Sequence, residues 1–205
     1  MNNRIDVSLF ILIILNLLFG FQFITLGGEV GTLLWVYWFQ SIAIGVTNFL
    51  RILTQKNFSV GGFFINGKPA EKTNTAKRKT ALFFLIHYGA FHLGYLLFLR
   101  QITTVSLDQG FFIGIGIFAI NHLLSFILNY RKETLVEKNI GTLMVYPYIR
   151  ILPMHIIILF GGSYILKNSS LNLLILFILL KISADVLMHI VEHKMLQSEH
   201  KVKLA

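Results

Sequence analysis

The sequence predicts an all-α fold, a polytopic transmembrane bundle of six helices with both termini on the cytoplasmic side. Three observations lead there. Of 205 residues, 55% are hydrophobic and only 13% are charged, whereas a soluble domain carries about 25% charged residues. The apolar residues come in runs near the ~20 residues that cross roughly 30 Å of hydrocarbon, and mean hydropathy is +0.71. The basic residues crowd into alternate segments between those runs.

The first run, residues 7–26, follows a single Arg4. It exceeds the roughly 7–15-residue core of a cleaved leader and has no small-x-small site behind it, so it is expected to be a retained span. The second, residues 30–53, has Trp35, Tyr37 and Trp38 near its start, where amphipathic rings are expected at the headgroup level. Segment 54–79 contains Gly61-Gly62, the turn signal Asn66-Gly67-Lys68-Pro69 and the basic cluster Lys77-Arg78-Lys79. It is expected to be a solvated cytoplasmic loop whose apolar stretch Phe58 to Ile65 suits the membrane interface. The remaining spans are placed at 80–99, 110–130, 146–166 and 171–191. Gly89, Gly110, Gly114, Gly116 and the pair Gly161-Gly162 are assigned to close helix packing. No internal repeat, low-complexity tract or second domain interrupts this single membrane domain, residues 1–205.

Charge sets the orientation. The amino terminus, segment 51–79, segment 131–138 and the carboxyl tail together hold fourteen Lys and Arg, against Arg100 and Lys167 on the other side. Short cytoplasmic loops collect such residues. The expected location is therefore the plasma (inner) membrane, multi-pass, with both termini cytoplasmic and the lipid bilayer as partner. The net charge of +9 follows from this topology, and no nucleic-acid partner is expected. With no cysteine in the chain, disulfides, thiolate metal ligands and cysteine nucleophiles are excluded, so a metal site would draw on His, Asp and Glu.

An ionisable side chain at the centre of a span costs about 2.5–3.5 kcal/mol on insertion scales, so such residues face the bundle and find partners. Here they are dense. The second span carries Gln40, Thr47, Asn48 and Arg51 along one stripe, and the third carries His87 and His92. Being five apart, these two point about 140° apart and do not converge on one atom. His122, Ser125 and Asn129 share a face of the fourth span; Tyr148 and His155 share one of the fifth, with Arg150 near its cytoplasmic end. In the sixth, Lys181, Asp185, His189, Glu192 and His193 follow spacings of three and four. Counted at 1.5 Å per residue, His87, His122, His155 and Asp185 all lie about 10–14 Å inside the cytoplasmic boundary, in one polar layer.

Three classes of function fit that layer. The first is a metal or ligand site with His122, His155 and His189 as ligands and Asp185 as base or orienter. Zinc or iron suits such donors, and a zinc-bound water attacks esters or amides, so a small molecule or lipid is the expected ligand. Haem ranks lower, because no inward pair of axial histidines is legible. The second is a proton-coupled or anion transporter, acting as a homo-oligomer, with the same residues as relay, Arg51 and Arg150 setting the substrate charge, and His87, Asn48 and Lys181 as further members of the polar layer or substrate site. The third is a structural or partner-binding protein in which each His donates to a neighbouring carbonyl and Lys181 neutralises Asp185.

Trp38-Phe39-Gln40-Ser41 with Asn48, Ile86-His87-Tyr88-Gly89, Asn121-His122 to Asn129-Tyr130, Tyr146-Pro147-Tyr148-Ile149-Arg150 to His155, and Lys181 to Asp185 with His189 resemble an uncharacterised prokaryotic family of multi-pass membrane proteins, a domain-of-unknown-function family. That resemblance covers nearly the whole chain and implies a small helical bundle without assigned activity. His189 and His193 also match the four-residue spacing of two zinc ligands in a late helix of alkaline ceramidases. To those the chain is similar only in part, since they follow a seven-helix pattern and His193 falls at the membrane edge here.

Overall fold

The computed structural model describes residues 30–103, 109–156 and 175–187, with isolated helical positions at 13–14, 17–18, 20–21, 24–25, 172 and 190. It is mostly helical. Helix α1 spans Val30–Thr54, α2 Asn74–Ile102, α3 Gln109–Leu135 and α4 Ile140–Ile156, and residues 175–187 form a further helical run. Two of these helices, Gly31–Thr54 and Asn74–Ile102, are long and apolar enough to cross a membrane. Most of the expected first span, the second half of the fifth and parts of the sixth lie outside the described residues.

The all-α expectation needs correcting at the loops. Segment 54–79 is structured rather than simply solvated, and it carries β1 (Phe58–Ser59), β2 (Phe64–Ile65) and β3 (Lys68–Pro69). Strands β2 and β3 pair antiparallel through the Asn66-Gly67 turn, in which both residues have positive φ, 53° and 75°. That is the two-residue hairpin turn whose twist matches its strands. Strand β1 instead pairs in parallel with β4 (Lys138–Asn139), in the short connection between α3 and α4.

Side-chain amides complete the junction. Asn57 Nδ2 donates to Leu135 O at 2.8 Å and Asn139 Nδ2 to Gly61 O at 2.8 Å. Asn139 Oδ1 in turn caps α4 by accepting from Gly141 N at 2.9 Å. The basic segments 51–79 and 131–138 therefore lie at the same end of the molecule.

Capping explains the helix limits that hydropathy misses. Helix α2 begins six residues before the expected position 80, because Thr73 is extended and its side chain accepts from Ala76 N at 3.1 Å. Likewise α3 runs on to Leu135 and α4 starts at Ile140 rather than 146.

Helix α1 is central and packs against α2, α3 and α4. Leu33, Leu34, Val36 and Ile52 are fully buried along it. Trp35 and Trp38 are buried too, and each finds an acceptor on α2 or at its C-cap. Trp35 Nε1 donates to Thr103 Oγ1 at 2.9 Å, and Trp38 Nε1 to His92 O at 3.0 Å. Buried, an indole N–H without such a partner would carry a desolvation cost of about 1–3 kcal/mol.

The close helix approach falls at Gly45, where an added Cβ would lie 2.4 Å from the Tyr88 ring. Gly89 and Gly116, expected to serve packing, face open space.

Candidate functional site

Helix α2 is inside out. Its buried residues Ala81, Phe84, Tyr88, His92, Tyr95 and Leu99 follow spacings of three and four and form one stripe. On the other side Leu82, Ile86, Leu93 and Leu97 are 55–64% exposed. Tyr88, His92 and Tyr95 share the inward stripe with Ala81, Phe84 and Leu99, while large aliphatics cover the outward face, unlike the outward face of a soluble surface helix.

The stripe meets α1 at Ser41. Ser41 Oγ lies 2.7 Å from His92 Nε2 and 2.9 Å from the Tyr88 hydroxyl, which also donates to Ser41 O at 3.0 Å. His92 Nδ1 is 2.9 Å from the carbonyl of Tyr88, one turn back. A carbonyl only accepts, so Nδ1 carries the proton of the neutral ring and Nε2 accepts from the Ser41 hydroxyl. The Tyr88 ring stacks on the imidazole with centroids 4.3 Å apart.

Serine, histidine and an orienting acceptor form the arrangement that activates a serine nucleophile. Ser41 and His92, however, are only 6% and 5% exposed. A substrate carbonyl reaches Oγ only if α1 and α2 part. The geometry is that of an interhelical hydrogen-bond network.

A second contact line joins α2 to α4. His87 Nδ1 is 2.7 Å from the Tyr148 hydroxyl, and the Tyr95 hydroxyl is bonded to His155 Nδ1. The two pairs are eight residues apart on α2 and seven on α4 in the same order, so these helices run in the same direction. Tyr95 also meets the His92 ring edge-on at 5.8 Å. A row of hydroxyl and imidazole groups thus leads from Ser41 on α1 to His155 on α4.

Asn48, expected in the polar layer, holds the scaffold instead. Its Nδ2 donates to Leu143 O at 2.9 Å, a carbonyl whose helical donor four residues on would be Pro147, which has no N–H. Thr47 satisfies its hydroxyl on Ala43 O at 2.9 Å within its own helix. Arg51 sits half-buried in the last turn of α1, where a cation complements the helix dipole.

Lys181 and Asp185 are bonded to each other and buried, and Lys181 Nζ lies 5.0 Å from the centroid of the Tyr37 ring. The expected mutual neutralisation is present.

The expected polar layer does not form as one site among the described residues. His87 is exposed and engaged with Tyr148, His155 with Tyr95, and Asp185 with Lys181. No group of three or more His, Cys, Asp or Glu able to hold a metal ion occurs among them. His189 and the side chains of His122 and Arg150 lie outside the described residues. Sequence reasoning named His92, Ser41 and Tyr88 without giving them a role in a site, and did not single out Tyr95. Their signal was the inward spacing of three and four around His92, visible once α2 is taken as the reference helix.

No curated protein and no solved structure matches the chain. A family model matches residues 2–202, and the chain therefore belongs to the family of unknown function DUF6498.

Proposed function

We propose that the chain is a multi-pass membrane protein, with both basic loops and both termini on the cytoplasmic side of the plasma membrane, whose interior Ser41–Tyr88–His92 network takes up and passes a proton. The inside-out character of α2 carries the reading. Exposed aliphatics suit lipid, and inward hydroxyl and imidazole groups in a membrane interior are costly unless paired, so a paired set of them there marks a functional site.

The network tolerates both protonation states. With His92 neutral, Ser41 donates to Nε2. When Nε2 gains a proton it donates to Ser41 Oγ, and the Ser41 hydroxyl turns to Tyr88, which still donates to Ser41 O. Every donor keeps an acceptor in each state. Tyr95 and His155 extend the row to α4, in keeping with a proton-coupled carrier.

The test is proton flux into liposomes holding the purified chain and an internal pH-sensitive dye, driven by a potassium diffusion potential. Flux above empty vesicles that falls at least about tenfold in His92→Phe, a loss of about 1.4 kcal/mol in rate terms, supports the reading. Leu93→Ala, on the outward face, leaves the flux unchanged. Folded wild-type protein without flux at any imposed gradient contradicts it.

A further inference from the structure

A second feature lies away from the Ser41 network, at the basic end. A pocket of about 450 Å³ opens between the β2–β3 hairpin, α2 and α4. Phe63, Phe64, Ile65, Phe83 and Met144 supply apolar walls, and Lys79 is the cation among the lining residues. Neighbouring cations have other tasks: Lys77 Nζ donates to Gln55 O at 2.8 Å and lies 5.2 Å from the Phe58 ring centroid, and Lys72 is 3.8 Å from Glu137.

Polarity runs along the pocket in the order a lipid needs. Lys79 directly precedes the apolar stretch of α2, at headgroup level when that stretch is embedded, and Phe83 lies one turn deeper. Phe64 is 60% and Phe83 54% exposed, so the apolar wall continues onto the outer surface. From Gln55 to Lys79 the chain has Glu71 as its single acid against six Lys and Arg, which favours an anionic ligand.

We propose that this pocket binds one anionic phospholipid of the adjoining leaflet, its phosphate on Lys79 and an acyl chain against Phe83 and Met144. Headgroup charge supplies selectivity and the apolar walls supply retention. The proposal rests on the membrane reading above, but not on proton transfer.

Native mass spectrometry of the full chain, released from detergent with phosphatidylglycerol or phosphatidylcholine of the same acyl chains, tests it. Wild type retains the anionic lipid about fivefold better. Lys79→Gln brings the ratio close to one, Met144→Trp loses both lipids, and Lys56→Gln, on the same loop but outside the pocket, behaves as wild type. Equal retention of both lipids by wild type, or equal loss in Lys79→Gln and Lys56→Gln, overturns the pocket in favour of diffuse attraction to a basic surface. If Met144→Trp fails to fold, the Lys79→Gln and Lys56→Gln comparison decides. A carbonate wash of membranes separates the two readings: release of the chain overturns both, whereas retention without lipid preference overturns the pocket alone.

Discussion

Pro147 has no N–H to offer the carbonyl of Leu143, and Asn48 on α1 supplies the missing donor. That exchange lets α4 continue through a proline while fixing it to the central helix. Asn48→Leu should destabilise the protein by about 1–2 kcal/mol, read as a shift in a denaturant titration in detergent. Adding Pro147→Ala restores the helical donor, so the double variant should recover most of the loss; two independent, additive losses would contradict the pairing.

At Gly45 the Tyr88 ring occupies the space of a side chain. Gly45→Val therefore has to displace a member of the Ser41 network, at a cost of about 1–3 kcal/mol, whereas Gly89→Ala, where nothing lies within 4 Å, should be silent in the same titration. Of this detail the sequence showed little. A buried amide beside a later proline is visible only when both helices are in place, and a glycine does not reveal in advance which ring will rest on it.

Elements were more legible than contacts. Apolar runs located α1 within a residue and indicated α2 and α3, because hydrocarbon length and helical rise constrain both. Their ends were missed where polar caps decide, at Thr73 and Asn139, since hydropathy is blind to a hydroxyl or amide that satisfies a helix terminus. The Asn66-Gly67 turn was readable from local chemistry. The β1–β4 pairing was not, because its partners lie about eighty residues apart and neither segment alternates.

That pairing is directly testable, as the chain contains no cysteine. Phe58→Cys with Lys138→Cys should cross-link under mild oxidation, since register partners in a ladder fall within disulfide reach. Failure to cross-link, with Gly61→Cys and Lys138→Cys linking instead, would show a shifted register. The candidate site was legible only by composition. Histidines within apolar runs signalled a polar interior, but His87 and His92 exchanged importance because the angle of α2 about its axis is set by Gly45 and Trp38, not by depth.

For the whole molecule, the order of contacts implies alternating helix directions and one basic end. Residues 30–35 of α1 meet the end of α2 near Thr103, while the loops after α1 and α3 join at the other end. Such an arrangement suits successive membrane crossings, with the ten Lys and Arg of segments 51–79 and 131–138 gathered at one end. The tie between Tyr95 and His155 and the buried Lys181–Asp185 pair then become interior features whose charge is balanced locally. Asp185→Asn should leave Lys181 unneutralised in the interior and sharply lower the yield of folded protein. Pairing Asp185→Asn with Lys181→Met should restore much of it, judged by monodisperse protein recovered in detergent.

In the proposed membrane fold the outward face of α2 lies in lipid while Tyr88, His92 and Tyr95 point inward. Single cysteines introduced in turn at residues 82 to 97, nitroxide-labelled and reconstituted in bilayers, report this through their relative accessibility to oxygen, which partitions into lipid, and to a polar nickel chelate, which stays in water. High oxygen accessibility at 82, 86, 93 and 97, with minima at 88, 92 and 95, is the expected pattern. High nickel accessibility at 86 and 93 would place that face in water and contradict the membrane reading and the proton site built on it.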